Sequence, residues 1–530
     1  MSGERPLRCT YRLQLSGAFD FAAARDVVPY LAALGVSHLY LSPIWAARPG
    51  SSHGYDVVDH ARINPELGGE AAFLALADAA HAHGLGLVLD CVPNHMGIGY
   101  DNPWWCDVLT WGEASPYAEY FDIDWRPGEP TLAGKVLLPV LGDHYGRVLE
   151  EGHLRLDFDG GRLVVRYWEH TVPLHPRETA DVLDAAVADA KKRDDAATAE
   201  TLGELAGQAR QVSKRRERVS RQRRRADRDR AEQLYDRLAH ARHEPAVETA
   251  LEAALVQFTP KSAADAEGRA ADRLHRLLER QSYRLAFWRL ASQEINYRRF
   301  FDINDLAGLR MEDPALFDAA HKKVVELMGA GRADGVRLDH VDGLLDPVDY
   351  LVRLNRTLKR AGADAPSVHV EKILGHDEAL RADWPVDGTT GYEVMNLLHG
   401  LQVSPEARRP LMTLYRDLVA PTAGFVEEVV ASKHLIMATS LAAELNVLAG
   451  DLNRIAKRSR LTRDYARQSL RDALTNIVAH FPVYRTYVTS KGAAAADRAI
   501  IKRAVDRARH AATTPDLSIY DFVEAVLTTD

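Results

Sequence analysis

At 530 residues, the sequence is too long for one ordinary small domain, and it suits a large barrel with insertions or two to four compact units. Its 46% hydrophobic and 27% charged residues are typical of a soluble globular enzyme, and a formal net charge of −8 over this length argues against a nucleic-acid binder. Residues 1–15 lack the apolar core of a signal peptide, and no later segment is apolar for long enough to span a bilayer. The cysteines Cys9, Cys91 and Cys106 lack metal-ligand spacing, which favours reduced thiols and a cytoplasmic location.

The first part of the chain alternates between strand and helix patterns. Strands are predicted at residues 9–15, 36–43 and 85–95, and amphipathic helices that end in glycine are predicted at residues 21–35 and 68–84. This alternation is typical of parallel βα units. Five or more such units would indicate a (β/α) barrel.

The alternation of strand and helix patterns then stops for more than two hundred residues. Two alternating runs around Asp-Gly-Gly predict a β-hairpin at residues 153–174, and an Ala-, Arg- and Glu-rich composition predicts long helices at residues 178–290. Residues 213–230 hold ten Lys or Arg against three acidic residues. Because the acids are interleaved and no aromatic residue interrupts the run, a solvated helix face is favoured over a nucleic-acid-binding segment.

Strand and helix patterns return near residue 332, with predicted strands at residues 332–340 and 367–374 around a helix at residues 347–362. The chain beyond residue 400 is predicted to be mostly helical. We therefore predict an α/β fold, a (β/α)8 TIM-type barrel with a large, mostly helical insertion after the third strand and an incomplete C-terminal end. The predicted divisions are residues 1–98 (strands 1–3), 99–331 (insertion), 332–400 (strands 4 and 5) and 401–530 (helical region).

Two carboxylates fall at the ends of neighbouring predicted strands. In "GVRLD" the alternation of side chains places Arg337 and Asp339 on one face, and "VHVE" places Glu371 at the corresponding point 32 residues later. That interval has room for one loop, one helix and one loop, so both residues belong at the carboxyl ends of adjacent parallel strands, where barrel active sites form. Strands about 4.8 Å apart can bring two carboxyls to the ~5 to 5.5 Å separation of a retaining glycosidase pair.

The position of Arg337 suggests different roles for the two carboxyls. A guanidinium beside Asp339 favours the ionised form that a nucleophile needs. Glu371 would then start the reaction protonated and act as the general acid. An Arg-x-Asp pair at a strand end is also common as a simple ion pair that holds a loop, and the sequence leaves that alternative open.

Other polar and aromatic residues fall near the same predicted strand ends. The third strand ends with Asp90, Asn94 and His95, and the loop after the second strand carries Tyr55. Stacking on a sugar ring and core packing are both open for Tyr55, and a structural role is open for His95. Trp384 and Tyr392 are candidate aromatic platforms or surface anchors. No His-x-x-x-His spacing or cysteine cluster supports a metal site, so no metal is predicted.

Several of these segments resemble the α-amylase superfamily of glycoside hydrolases. "DCVPNH", "GVRLDH" and "VHVEKIL" are similar to its first, second and third conserved regions. Within the superfamily, "SSHGYDVVDHARINPELGG", "INYRRFFDINDLAGLRMED" and "FPVYRTYV" resemble the maltooligosyltrehalose synthase family. The resemblance runs from about residue 7 to the end of the sequence.

The resemblance implies a specific site and reaction. Asp339 would be the nucleophile, Glu371 the general acid/base, and Tyr55, His95, Arg337, His340, Trp384 and Tyr392 substrate-binding residues. The implied reaction converts the reducing-end α-1,4 link of a maltooligosaccharide into an α,α-1,1 link, without a cofactor. The implied partner is a maltodextrin substrate, with no nucleic acid and no membrane, and the implied assembly is a monomer.

The sequence departs from the superfamily pattern in one respect. The third carboxylate of the superfamily, an aspartate after a histidine in a fourth region, has no convincing counterpart, and family members are longer than this sequence. We therefore expect a C-terminally truncated chain. The insertion and the helical region are candidates for the lid that excludes water. A retaining α-glucan hydrolase or transglycosylase and an inactive glucan-binding fragment are the alternatives.

Overall fold

The computed structural model describes residues 6–261, 268–363, 365–420, 423–512 and 516–529. The chain forms two compact units. The first comprises Met1–Met96, Phe300–Asp302 and Leu309–Asp530, and the second comprises Gly97–Arg299 and Ile303–Gly308. The four-part division made from the sequence remains a prediction.

A six-stranded parallel sheet forms the centre of the first unit. Its strands lie side by side in chain order: β1 (Thr10–Leu13), β2 (His38–Leu41), β3 (Gly86–Cys91), β4 (Gly335–Leu338), β5 (Ser367–Val370) and β6 (Gly388–Thr389). Within the described ranges, β1 and β6 have a neighbour on one side only. The predicted fold, an incomplete parallel barrel, is confirmed. The two residues of β6 are too few to show an alternating pattern, and this strand was missed.

Helices connect the strands and cover the sheet. They span Phe21–Asp26, Val28–Ala33, Gly69–Ala82, Pro314–Gly329 and Pro347–Arg360. The single helix predicted at residues 21–35 is in fact two, because Pro29 has no N–H group to continue the hydrogen-bond ladder across the junction. All six residues of β3 are buried, as expected for a parallel strand covered on both faces. An antiparallel pair, Trp45–Ala47 and Val57–Ile63, follows β2.

The rest of the first unit is helical, as predicted. The helices span Tyr392–Gly400, Arg408–Val419, Phe425–Ala438, Ala442–Ala456, Arg467–Ala479, Ala495–Ala511 and Ser518–Thr528. The later helices share a core that includes Leu470, Ile477 and Tyr520. The helices Tyr392–Gly400 and Arg408–Val419 bury none of their side chains. Leu401 and Leu418 are 84% and 75% exposed, and so much exposed apolar surface is uncommon in monomeric proteins.

A membrane-spanning helix needs both sufficient length and an apolar composition. No single helix in the described part of the chain is long and apolar enough to cross a membrane. The helices Phe425–Ala438 and Ala442–Ala456 meet those criteria only as a pair, and the pair is bent by 84°.

The second unit contains the predicted hairpin and the predicted long helices. Arg155–Asp159 and Arg162–Tyr167 pair in antiparallel fashion, and a third strand, His170–Pro173, extends the sheet. The helices span Pro103–Trp111, Tyr145–Glu150, Thr179–Lys192, Ala196–Gln211, Arg221–Ala241, Pro245–Val256, Ala270–Glu279 and Ala291–Glu294. A parallel pair, Val136–Leu141 and Tyr283–Phe287, escaped prediction because its strands lie far apart in the sequence. Short strands at His95–Gly97, Arg299–Phe300 and Ile303–Gly308 fall where the chain passes from one unit to the other.

The basic run at residues 213–230 is partly neutralised within the second unit. Arg223 and Arg230 each lie 3.1 Å from Asp227, and Arg228 pairs with Asp107. The interleaved Asp227 therefore holds Arg223 and Arg230 in local ion pairs, and Asp107, from outside the run, pairs with Arg228.

Candidate active site

The carboxyl ends of β3, β4 and β5 carry a cluster of three acidic side chains around one arginine. Nη1 of Arg337 donates to Oδ1 of Asp90 and to Oδ1 of Asp339, each at 2.7 Å. Nη2 of Arg337 lies 3.1 Å from Oε1 of Glu371. One guanidinium therefore joins carboxyls from three neighbouring strands, and it contacts both predicted catalytic carboxyls.

The strand register explains this convergence. Arg337 lies opposite Asp90 on one side and opposite His369 on the other. The ladder continues one residue beyond the strands, because the N–H of Asp339 donates to the carbonyl of Cys91 and the N–H of Glu371 donates to that of Leu338, both at 2.8 Å. Both carboxyl-bearing residues are thus held by backbone hydrogen bonds.

The cluster is almost fully removed from water. Asp90, Asp339 and Arg337 are 0%, 5% and 6% exposed. Burial raises the pKa of Asp339, Arg337 lowers it, and the charges of Asp90 and Glu371 raise it, so the pKa lies well above the ordinary carboxyl range. Burial lowers the pKa of Arg337, but the surrounding carboxylates outweigh burial and raise it, so the guanidinium stays charged.

These directions modify the expectation for Asp339. The sequence showed a guanidinium that favours the ionised carboxylate, but it did not show how deeply Asp339 is buried. In the structure, burial and the charge of Asp90 oppose Arg337. The predicted roles of Asp339 as nucleophile and Glu371 as acid remain predictions.

Two tyrosines secure Asp90. The hydroxyls of Tyr55 and Tyr40 donate to Oδ2 of Asp90 at 2.7 and 2.9 Å, and Arg12 donates to the hydroxyl of Tyr55 at 3.1 Å. The guanidinium of Arg337 lies 5.8 Å from the ring centre of Tyr55. Tyr55 is thus brought to the cluster, as the predicted site requires. Tyr40 and Arg12 were missed, because both lie within predicted strands and nothing in the sequence gave their pairing with Asp90.

His340 turns its backbone toward Glu371. It adopts a left-handed conformation with φ of 44°, which is costly for a residue with a side chain, and its N–H donates to Oε2 of Glu371 at 3.0 Å. Its ring meets Phe300 edge-on at 5.0 Å, and its Nε2 lies 3.3 Å from the hydroxyl of Tyr484. Phe300 and Tyr484 were not predicted as site residues, although "RRFFDIND" and "FPVYRTYV" carry them.

His95 joins the same group of rings. It is 1% exposed, its ring stacks on Phe300 at 4.3 Å, and its Nδ1 lies 3.2 Å from Nδ2 of Asn94. Phe300 therefore contacts both His95 and His340.

The two predicted aromatic platforms have different surroundings. The hydroxyl of Tyr392 lies 3.5 Å from Oε1 of Glu371, and partial burial of Tyr392 together with the charge of Glu371 raises the pKa of the Tyr392 hydroxyl. Trp384 is 5% exposed and packs edge-on against Tyr487 at 5.4 Å. The structure thus gives Trp384 a packing role, and its contact with substrate remains a prediction.

In the part of the chain that the structure describes, no group of three His, Cys, Asp or Glu side chains is arranged so that it could hold a metal ion. Cys9, Cys91 and Cys106 are unpaired thiols. Burial raises the pKa of the Cys91 thiol, so it stays protonated.

Comparisons with known proteins agree with this geometry. The family model "Alpha amylase, catalytic domain" matches residues 16–146. A putative maltooligosyl trehalose synthase of Mycobacterium tuberculosis (strain ATCC 25618 / H37Rv) is 36% identical over 416 residues, which is 77% of this chain and 40% of that protein. The chain belongs to the α-amylase superfamily, as a homologue of maltooligosyl trehalose synthases.

Solved structures extend the likeness over nearly the whole chain. The maltooligosyltrehalose synthase from Arthrobacter ramosus matches with 30% identity and a TM-score of 0.69, covering 99% of this chain and 53% of that one. A structure described as DSM5389 glycosyltrehalose synthase matches with 27% identity and a TM-score of 0.67, covering 98% and 55%. This chain therefore spans about half the length of these structures and less than half of the curated relative.

Proposed function

We propose that this protein rearranges maltooligosaccharides by intramolecular transglucosylation, converting the reducing-end α-1,4 link to an α,α-1,1 link. The observation that carries the proposal is the contact of Asp339 and Glu371, from adjacent strand ends, with the single guanidinium of Arg337. A retaining glycosidase needs two carboxyls about 5 to 5.5 Å apart, and side chains at the ends of adjacent strands, about 4.8 Å apart, can meet that requirement. The homology to maltooligosyl trehalose synthases supports the substrate class.

The proposed reaction has two displacements. Asp339 attacks the anomeric carbon of the penultimate glucose while Glu371 gives its proton to the oxygen of the leaving terminal glucose. The freed glucose turns within the pocket, and Glu371 takes the proton from its anomeric hydroxyl as that oxygen attacks the glycosyl-enzyme. Two inversions retain the α configuration at the donor carbon, and Asp339 leaves as a carboxylate.

The surrounding residues have proposed roles in holding the sugar. Tyr55 would stack beneath the ring at the cleavage point, and Arg337, His95 and His340 would hold its hydroxyls. Tyr392 would contact the departing glucose, since its hydroxyl already lies beside Glu371. Trp384 would serve as an aromatic platform for the substrate at the edge of these sugar-binding residues. Water must be kept out, because a water molecule attacking the intermediate would make the enzyme a hydrolase.

The setting of the reaction is also a proposal. We propose that the protein works as a cytoplasmic monomer on maltodextrins, without a cofactor. The sheet is open within the described residues, and the chain covers about half of its solved homologues. Maltodextrin binding without turnover is therefore the second candidate function.

Incubation of the 530-residue protein with maltopentaose tests the proposal. Mutase activity removes reducing ends without releasing glucose, whereas hydrolysis adds reducing ends. Asp339→Asn should abolish turnover and spare binding measured by calorimetry. The matched control is Asp377→Asn, because Asp377 lies in the loop after the neighbouring strand β5 and its side chain is 83% exposed. New reducing ends would establish the hydrolase instead, and binding without any turnover would establish the glucan-binding protein.

A further inference from the structure

A buried ion pair joins the two loops that follow the proposed catalytic carboxyls in the chain. Lys372 follows Glu371 in the chain, and Asp342 lies in the turn just after Asp339. Nζ of Lys372 lies 3.0 Å from Oδ2 of Asp342, and their side chains are 3% and 8% exposed. The same Nζ lies 2.8 Å from Oε1 of Glu378. The loops after β4 and β5 are thus linked to each other one to three residues beyond the carboxyls.

A segment from the helical region contacts Asp342 of this pair and the turn in which Asp342 lies. We call residues 484–487 the strap. The hydroxyl of Tyr487 in the strap is hydrogen-bonded to Oδ1 of Asp342. Arg485 in the strap donates to the carbonyls of Asp342 and Leu344 at 2.8 and 2.6 Å. The strap therefore fixes both the side chain and the backbone of the turn that follows Asp339.

The strap is itself held in place. The N–H of Tyr487 donates to Oδ1 of Asp497 at 3.3 Å, and Arg381 donates to Oδ2 of the same carboxylate at 3.3 Å. The guanidinium of Arg381 lies 5.2 Å from the ring centre of Tyr487, and Trp384 meets that ring edge-on at 5.4 Å. Asp497 is 4% exposed and belongs to the helix Ala495–Ala511. The turn after β4, the loop after β5 and a later helix thus form one connected network.

We propose that Asp342, Lys372 and Tyr487 are positioning residues that set the separation between the carboxyls of Asp339 and Glu371. A buried ion pair resists opening because each partner would be left charged without compensation. The loops after β4 and β5 therefore keep a fixed spacing at the point where the carboxyls emerge. The catalytic consequence depends on the proposed function, since a misplacement of about 1 Å can cost about 100-fold in rate.

The decisive experiment compares variants of the full chain by crystallography and kinetics. Lys372→Met breaks the pair, the double variant Asp342→Asn/Lys372→Met removes both charges, and Lys372→Arg keeps the cation. The matched control is Lys323→Met, because Lys323 pairs with Glu70 at 2.7 Å on another helix of the same unit and its side chain is 11% exposed. Lys372→Met leaves the carboxylates of Asp342 and Glu378 without their cation and can fail to fold, whereas the double variant leaves only the carboxylate of Glu378, whose side chain is 12% exposed, and keeps the test available.

The expected result is a change of about 1 Å in the Asp339–Glu371 carboxyl separation in the double variant, with kcat lowered about 100-fold and KM little changed. Lys372→Arg should keep the wild-type separation of the Asp339 and Glu371 carboxyls and most of kcat. Lys323→Met should change neither the separation nor kcat. An unchanged separation with unchanged kcat, alongside lower stability, would show that the pair is only structural and would overturn the proposal. If the wild-type chain does not convert maltopentaose, the proposed function fails, and the crystallographic separation alone decides the positioning role.

Discussion

Replacing Arg337 with methionine is the change that most directly tests the electrostatics of the carboxyl cluster. The guanidinium contacts Asp90, Asp339 and Glu371, and the side chains of the first two are 0% and 8% exposed. Removing one partner of a buried ion pair costs about 3–5 kcal/mol, because the remaining charge is left without water or a counter-ion. With two buried carboxyls affected, we expect Arg337→Met to lower the free energy of unfolding by about 5 kcal/mol at pH 7.5.

The deficit should depend on pH in a defined direction. Burial already raises the pKa values of Asp90 and Asp339, and loss of the guanidinium would raise them further. A carboxyl whose pKa is raised in the folded state contributes stability at low pH that is lost as the pH rises through that pKa. The deficit of Arg337→Met should therefore be smaller at pH 5 than at pH 7.5, since the carboxyls accept protons at the lower pH.

The loss in free energy of unfolding is measured by urea unfolding of the full chain at pH 5 and pH 7.5, with tryptophan fluorescence as the signal. The matched control is Arg332→Met, because Arg332 pairs with Asp78 in the same unit and their side chains are 37% and 67% exposed. An exposed pair contributes about 0–1 kcal/mol, so the control should change little at either pH. A deficit below about 1 kcal/mol for Arg337→Met, or an equal deficit at both pH values, would refute the assignment of a buried charged cluster.

Two further predictions follow from the same site. Gly343→Ala should destabilise the protein by about 1–3 kcal/mol in thermal unfolding, because the new Cβ would overlap Oδ1 of Asn94 and lie 2.6 Å from Cδ2 of His340. Gly146→Ala, in a helix with open space at that position, is the control and should not destabilise. Asp90→Asn should move the acid limb of the kcat/KM profile to lower pH, because the charge of Asp90 raises the pKa of Asp339, which in the proposed reaction must be ionised to attack. A shift to higher pH would contradict this coupling.

The sequence revealed the parts of the site that depend on strand periodicity. Alternation within "GVRLD" and "VHVE", with room for one helix between them, was enough to predict Asp339 and Glu371 on neighbouring strand ends, and the structure joins both to Arg337. Tyr55 also lies at the cluster, because its loop follows the neighbouring strand β2.

Other parts of the site depend on long-range packing that no local pattern encodes. The contact of Tyr40 with Asp90 and that of Phe300 with His95 and His340 depend on how distant segments pack. The raised pKa of Asp339 depends on burial, which the sequence does not show.

Trapping the covalent intermediate is the measurement that tests the central claim most directly. Incubation with 5-fluoro-α-D-glucosyl fluoride, followed by mass spectrometry of the intact protein and its peptides, should show one added 5-fluoroglucosyl group on Asp339, with fluoride as the leaving group. Asp339→Asn should carry no label, and Asp377→Asn should be labelled like the wild type. A label on another residue, or turnover of maltopentaose by a protein that is never labelled, would contradict the account in which Asp339 attacks the sugar and Glu371 transfers the proton.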